Sequence, residues 1–298
     1  MLKEKTMEVF KGCAPAVVTP FDKNGKINLN VFKQLLDFYI NSGVNALVIL
    51  GTTGEASTLS QKEKKIIATT AIEHTNHRVP VILGAGGNNT KEVIKQSKLF
   101  TGIGADALLQ ITPYYNKATQ NGLIEHFSRI ANACKIPQIL YNVPSRTGVN
   151  LLPETVKVLS KNPYIVGLKE AGGNLSQLTE LLRILPKEFC VYSGDDENIF
   201  TNLALGGKGV ISVVANIMPK ETSAICKSFF DGKIETARKQ QFDLIPLIQA
   251  LFTEVNPIPV KAGLTYLGFD VGNPRLPLTP LTQANMEKLK FALNNIHL

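Results

Sequence analysis

Short apolar runs recur along this chain, each followed by a stretch whose apolar positions repeat with helical spacing. Eight stand out: Ala16-Val-Val-Thr19, Ala46-Leu-Val-Ile-Leu50, Val81-Ile-Leu83, Ala107-Leu-Leu-Gln-Ile111, Gln138-Ile-Leu-Tyr141, Tyr164-Ile-Val-Gly-Leu168, Cys190-Val-Tyr192 and Gly209-Val-Ile-Ser-Val213. Short runs without polar alternation read as strands buried on both faces, the habit of parallel sheets covered by helices. Helix signals stand behind several of them. Ser60-Gln-Lys-Glu63 has capping-box spacing, and Asn89-Thr-Lys-Glu92 offers a similar cap. Leu175, Leu178, Leu181, Leu182 and Leu185 form one apolar helical stripe. The first helix, around Leu29 to Asn41, stops at Gly43, a C′ glycine.

Eight alternations of strand and helix predict parallel strands joined by right-handed crossovers. Closed on themselves, they give an α/β fold, the (β/α)8 TIM barrel, which takes about 250 residues. The rest, from roughly Glu221, reads as helices over Lys233 to Leu251, after Pro259, and over Gln283 to Asn294. No low-complexity segment or Gly/Ser linker sets this tail apart. The expected organisation is a catalytic barrel over 1–220 with a C-terminal helical extension over 221–298 packed upon it.

Composition narrows the class. A 298-residue chain that is 44% hydrophobic and 19% charged can bury a large core and lies far from disorder. No run approaches the eighteen or so apolar residues of a membrane span. The start, Met1-Leu-Lys-Glu-Lys-Thr-Met7, has charges without an apolar segment behind them, so a cytoplasmic protein without a secretory signal is expected. Cys13, Cys134, Cys190 and Cys226 are scattered and read as buried, reduced thiols rather than a disulfide frame or zinc site. The net charge of +8 comes without a basic run or interleaved aromatics, which argues against a nucleic-acid partner. A positive field does suit small carboxylate substrates.

In such barrels the chemistry gathers at the C-terminal ends of the strands. Lys169 closes the sixth run there. An ammonium at the mouth of a buried strand is partly desolvated, which lowers its pKa and makes the amine a nucleophile for carbonyl carbon. Taken alone, such a lysine is also what a strand end returning to water carries. Other strand ends supply Gly51-Thr-Thr-Gly-Glu55, Thr112-Pro-Tyr-Tyr-Asn116, Tyr141-Asn-Val-Pro-Ser-Arg-Thr-Gly148, Ser193-Gly-Asp-Asp196 and Gly209-Val-Ile211. Each has an ordinary reading as a tight turn, packing aromatics, a loop arginine or a polar turn. Their convergence on one rim beside Lys169 is what points to a site.

That set suits one kind of reaction. His74, His77, His126 and His297 fall on helical stretches or at the terminus and read as packed or solvated. Gly84-Ala-Gly-Gly-Asn-Asn89 breaks the dinucleotide fingerprint, and Gly206-Gly-Lys-Gly209 lacks the first glycine of a P-loop. No metal or cofactor is therefore expected. An amine, phenols, hydroxyls and one guanidinium remain. An amine condensing with a keto acid makes an iminium, hydroxyls shuttle the protons, and a guanidinium grips a second carboxylate.

With Gly51-Thr-Thr-Gly-Glu55, Tyr141-Asn-Val-Pro-Ser-Arg146 and Gly167-Leu-Lys169, the chain resembles the 4-hydroxy-tetrahydrodipicolinate synthase (dihydrodipicolinate synthase) family. That family sits among the pyruvate-dependent class I aldolases with N-acetylneuraminate lyase. The likeness runs from Val18-Thr-Pro-Phe21 to Asn256-Pro-Ile-Pro-Val-Lys261. It implies that Lys169 forms the Schiff base with pyruvate, while Thr52, Tyr141 and Tyr115 relay protons, Tyr115 reaching in from a neighbouring subunit. Thr53 would hold the pyruvate carboxylate and Arg146 that of aspartate semialdehyde. Gly194 and Ile211 would line the pocket through their backbones. It also implies a homotetramer built as a dimer of dimers, working in lysine and diaminopimelate biosynthesis. The sibling lyases have Ser-Thr at the Thr52-Thr53 positions and no arginine like Arg146.

Asn88, Glu92 and Tyr114 match the site where family members bind inhibitory lysine, but two histidine positions of that site are Gln61 and Lys64 here. A cation at Lys64 opposes another cation, so weak or absent lysine inhibition is expected. Two rival readings stay open at this point: a pyruvate aldolase acting on a sugar acid, and a keto-acid-binding barrel without turnover.

Overall fold

The computed structural model describes residues 8–296. The readings of the first seven residues and of His297 lie outside the described residues. Eight strands form one parallel sheet: β1 Gly12–Pro15, β2 Leu47–Ile49, β3 Val81–Gly84, β4 Ala107–Ile111, β5 Gln138–Asn142, β6 Ile165–Glu170, β7 Cys190–Ser193 and β8 Gly209–Ser212. Successive strands are neighbours from β2 to β8, and β8 pairs with β1. The remaining seam, between β1 and β2, closes through Asn45 N to Cys13 O (2.8 Å) and Val17 N to Val48 O (2.9 Å). The result is the (β/α)8 barrel.

The seam corrects the first predicted strand. Ala16-Val-Val-Thr19 is buried as its composition demands, yet it lies past the end of β1. Ala16 N donates to Ser212 O on β8 (2.7 Å) while Val17 N donates to β2, so this run crosses between two neighbours instead of pairing with one. The sixth strand also continues beyond its apolar run, through Lys169 and Glu170.

The helices are α1 Leu29–Asn41, α2 Gln61–Thr75, α3 Thr90–Gly102, α4 Gln120–Cys134, α5 Pro144–Thr147, α6 Pro153–Leu159, α7 Leu175–Ile184, α8 Ile199–Ala204, α9 Pro219–Phe230, α10 Ile234–Ala250, α11 Ile258–Tyr266 and α12 Gln283–Asn294. The capping box on α2 is complete, with Ser60 accepting from Glu63 N and Glu63 accepting from Ser60 N. Asn89 caps α3 by accepting from two amides. Gly43 adopts φ 82°, a conformation that costs other residues, and ends α1. The leucine stripe of α7 is narrower than its spacing promised: Leu178 and Leu181 are buried, but Leu175 is 55% exposed. No described helix is long and apolar enough to cross a membrane.

Inside the barrel, Ala14, Ala46, Val48, Ile82, Leu109, Ile139 and Ile211 pack in one cluster with Tyr141 and Tyr192. A second shell lies between strands and helices, where side chains of this size each contribute roughly 1.5–3 kcal/mol on burial. Leu244, Leu247, Val260, Leu264 and Leu289 of the last three helices belong to the same cluster as Leu35, Leu47 and Val210 of the barrel, so barrel and tail share a core. The division at 220/221 falls inside α9, which follows β8 and packs against β1. That helix completes the barrel, and the extension proper is α10 to α12.

All four cysteines are buried and free. His126 is 5% exposed, its Nδ1 is 2.9 Å from Thr90 Oγ1, and burial pushes its pKa down to about 4. A histidine depressed in the folded state stabilises above its ordinary value and loses that contribution as pH falls through the folded value. Chemical denaturation should therefore show a loss on the order of 2 kcal/mol between pH 6.5 and 4. His126→Phe should flatten that slope; an unchanged slope would assign the loss to other groups.

Candidate active site

Two lysines are buried among the described residues, and they live differently. Lys261, on α11, is 1% exposed, and its ammonium donates to Glu55 Oε1 (2.9 Å), Thr19 O (3.1 Å) and Asn273 O (3.1 Å). Three protons meet three acceptors. Lys169 is 6% exposed, yet among the described residues no carboxylate or carbonyl accepts from it. Its Nζ stands instead 4.3 Å from the centre of the Tyr141 ring. A lysine side chain sunk among apolar neighbours with no protein acceptor for its amine is a common mark of a reacting group.

The sheet makes this meeting. Tyr141 on β5 is in register with Lys169 on β6, which is in register with Tyr192 on β7. Residues in register project to one face, so amine and phenol share the barrel interior. Their neighbours Asn142 and Glu170 fall on the opposite face and tie the two strand ends together. Asn142 Nδ2 donates to Glu170 Oε2 (3.0 Å), which also accepts from Gln177, while Glu170 Oε1 accepts from Gly172 N. Burial pushes the Glu170 carboxyl up in pKa.

A cavity of about 320 Å³ opens over the ends of β2 to β5, ample for a small ligand. Thr52, Tyr141 and Arg146 line it, together with Ser57, Lys64, Gln96 and Tyr114. Lys169, Thr53, Gly194 and Ile211 are not on that wall; Lys169 meets it through the Tyr141 ring. Arg146 does not sit in a loop, as its surroundings suggested, but on the short helix α5, where its guanidinium donates to Asn256 O at 3.3 Å. Thr53 is 3% exposed and accepts from Asn256 Nδ2 at 2.9 Å. The Thr52-Thr53 loop is bent by Leu50 (φ 61°) and Glu55 (φ 53°), left-handed positions that non-glycine residues take only under constraint.

Gly194 and Ile211 act differently from one another. A Cβ on Gly194 would stand 2.9 Å from Lys169 Cε and 2.7 Å from Ala171 Cβ, so the glycine clears room for the lysine. Ile211 is 1% exposed, paired with Ala14 across the β8–β1 ladder, and its side chain fills the barrel interior. Tyr115 stands apart from the group. It takes φ 72° and is 91% exposed, on a turn pinned by Asn116 Nδ2 to Asn88 O and Asn88 Nδ2 to Tyr114 O.

A family model described as the dihydrodipicolinate synthetase family matches residues 9–296. The chain belongs to that family. It is 49% identical over 281 residues to the 4-hydroxy-tetrahydrodipicolinate synthase of Alkaliphilus oremlandii, covering 94% of this chain and 97% of that one. It is likewise 49% identical over 287 residues to the enzyme of the same name from Acetivibrio thermocellus, covering 96% and 97%. A crystal structure of dihydrodipicolinate synthase from Thermotoga maritima superposes with a TM-score of 0.95 at 40% identity, over 96% of this chain and 98% of that one.

Three residues of this family member carry weight that reading the sequence did not give them. Asn256 and Lys261 stood in the tail as part of a matching motif, without a role. Glu55 closed the Gly-Thr-Thr-Gly motif as a turn residue. Only the folded chain shows that Lys261 and Asn256 grip the loop bearing Thr52 and Thr53. The signal was their charge and polarity inside an otherwise apolar, proline-rich stretch.

Gly194→Ala should keep the fold, because glycine there has no left-handed φ to lose. It should push the Lys169 side chain aside and cut turnover by about 10-fold or more, since small misplacements of a reacting group are expensive. Circular dichroism with steady-state rates checks this; full activity would mean that the lysine can yield without cost.

Proposed function

We propose that this chain is a lyase that condenses pyruvate with L-aspartate 4-semialdehyde to give 4-hydroxy-tetrahydrodipicolinate, through a Schiff base on Lys169. The observation that carries the reading is the buried side chain of Lys169, its amine 4.3 Å from the Tyr141 ring and without a carboxylate or carbonyl partner among the described residues, in a chain of this family. The Lys169 nitrogen adds to the keto carbon of pyruvate, and loss of that oxygen as water leaves an iminium. Removal of a methyl proton gives the enamine, which attacks the aldehyde carbon of the second substrate. The new alkoxide takes a proton. The substrate's own amine then adds to the iminium carbon and expels Lys169 as the ring closes. No step calls for a metal or a cofactor.

Tyr141, Thr52 and Tyr115 are the proposed proton carriers. Tyr141 and Thr52 line the same cavity, which supports their share. Tyr115 completes the relay from a second copy. Its fixed turn and bare ring support that assignment, since a tyrosine held rigidly into solvent is well suited to a neighbour's pocket. The assembly proposed is a homotetramer, a dimer of dimers, in the cytoplasm. Thr53 receives the pyruvate carboxylate, and Gly194 and Ile211 border the site through their backbones. Arg146, on the cavity wall, receives the carboxylate of the semialdehyde. A guanidinium placed there favours a second acidic substrate over a sugar acid.

Lys64 stands on the cavity wall and Gln61 at the start of α2, with Asn88 and Tyr114 bonded to each other nearby. A structure of the Cyanidioschyzon merolae relative has lysine bound. Here the Lys64 cation opposes such a ligand.

Borohydride reduction with pyruvate should leave a pyruvyl adduct on Lys169, found by peptide mass mapping and lost in Lys169→Ala; an adduct elsewhere would sink the mechanism. Tyr141→Phe should retain the fold and lose roughly 10²–10⁴-fold in turnover, the range of a missing acid–base group. Rates near normal would leave the phenol a packing role. Lysine at millimolar concentration should inhibit weakly or not at all, and half-inhibition below that range would contradict the part given to Lys64.

A further inference from the structure

Asn256 touches both groups proposed to bind substrate carboxylates. Its Nδ2 donates to Thr53 Oγ1 at 2.9 Å, and its backbone oxygen accepts from the Arg146 guanidinium at 3.3 Å. It is 5% exposed, and its Oδ1 meets no partner among the described residues. A buried amide oxygen left unpaired is destabilising, so the residue is not there for stability alone.

The direction of the Thr53 bond matters. A hydroxyl has one proton and two lone pairs. With a lone pair engaged by the Asn256 amide, the Thr53 proton must point elsewhere, and no acceptor among the described residues takes it. With the amide reversed, Oδ1 would accept that proton, and the hydroxyl could only receive. A carboxylate offers acceptors and no donor, so only the first arrangement greets it. The stretch that carries Asn256 is anchored to the same loop, because Lys261 on α11 bonds to Glu55 beside Thr53.

We infer that Asn256 is a positioning residue: its side chain keeps the Thr53 hydroxyl as a donor for the pyruvate carboxylate, while its backbone holds Arg146 for the second substrate. This rests on the part given to Thr53 in the reaction proposed above. The helical extension thereby supplies the element that sorts the two carboxylates, one through a side chain and the other through a carbonyl. Preorganised donors of this kind act without reorganising when the ligand arrives.

The test is steady-state kinetics on the full-length protein with Asn256→Ala, Asn256→Asp and Thr53→Val. Asn256→Asp turns the Thr53 proton inward and adds a repelling charge, so pyruvate KM should rise roughly 10- to 100-fold. Asn256→Ala leaves the hydroxyl undirected and should raise it about 3- to 10-fold. In Asn256→Ala the KM for aspartate semialdehyde should stay within about two-fold, because the backbone still holds Arg146. In a Thr53→Val background, adding Asn256→Ala should change pyruvate KM no further, the coupling expected of a pair acting through one bond.

A merely structural asparagine would instead lower kcat, raise both KM values alike, and add its losses to those of Thr53→Val; that pattern, or an unchanged pyruvate KM, overturns the inference. Should Asn256→Asp fail to fold, Asn256→Ala and the Thr53 comparison decide. Borohydride trapping separates the two proposals. A wild-type protein that forms no pyruvyl adduct on Lys169 removes the reaction and this inference with it. Normal trapping with unmoved KM values removes only the inference.

Discussion

Glu55 and Lys261 meet 2.9 Å apart where side-chain exposure is 2% and 1%. Bringing two charges out of water is expensive, and their attraction offsets the expense only when every remaining donor and acceptor is also met. Here they are. Lys261 spends its other protons on Thr19 O and Asn273 O, and Glu55 Oε2 accepts from Arg275 N. The ring of Phe21 lies 4.2 Å beneath the Lys261 ammonium and 4.3 Å from the Arg275 guanidinium, adding attraction from its face. Burial pushes the Lys261 pKa down while Glu55 opposes that shift. One ion pair thus ties the loop after β2, the first loop of the barrel and the helical extension into a single body.

The rest of the site hangs on that tie. Because α11 is pinned to Glu55, Asn256 just ahead of it reaches Thr53 and Arg146. Because Glu55 is pinned, the chain can hold left-handed turns at Leu50 and Glu55 and keep Thr52 on the cavity wall. The catalytic barrel and the tail are therefore two segments of sequence but one device. The contrast with Lys169 follows from the same physics. A lysine with three acceptors is a structural cation. One with a tyrosine ring and no acceptor among the described residues is the amine proposed to meet carbonyl carbon.

Much of the frame was legible from the chain. Strands β2 to β8 lie on the runs that hydrophobicity marked, within a residue or two, since short uninterrupted apolar stretches fit a parallel sheet covered by helices. The Ser60 box and the Asn89 cap formed because they depend on residues three apart. The first strand was misplaced because Ala16 and Val17 bridge from β8 to β2 where the barrel closes, contacts that no local window contains. Leu175 is exposed because a stripe of leucines says which face is apolar without saying how far the neighbouring element extends.

For the site, the inventory was readable along the chain: a lysine near the end of a buried strand, a pair of threonines in a glycine loop, tyrosines at two strand ends and one arginine. Residue type and position along a repeating β/α pattern suffice for that, because the barrel rule places strand ends on one rim. Which of these groups touch was settled by folding. The register of β5 against β6 put Tyr141 beside Lys169, and a reach of more than 200 residues brought Asn256 to Thr53. Lys169 and Lys261 look alike as letters in apolar surroundings. What separates them is whether acceptors arrive from elsewhere in the chain, and that is a property of the fold's long-range contacts alone.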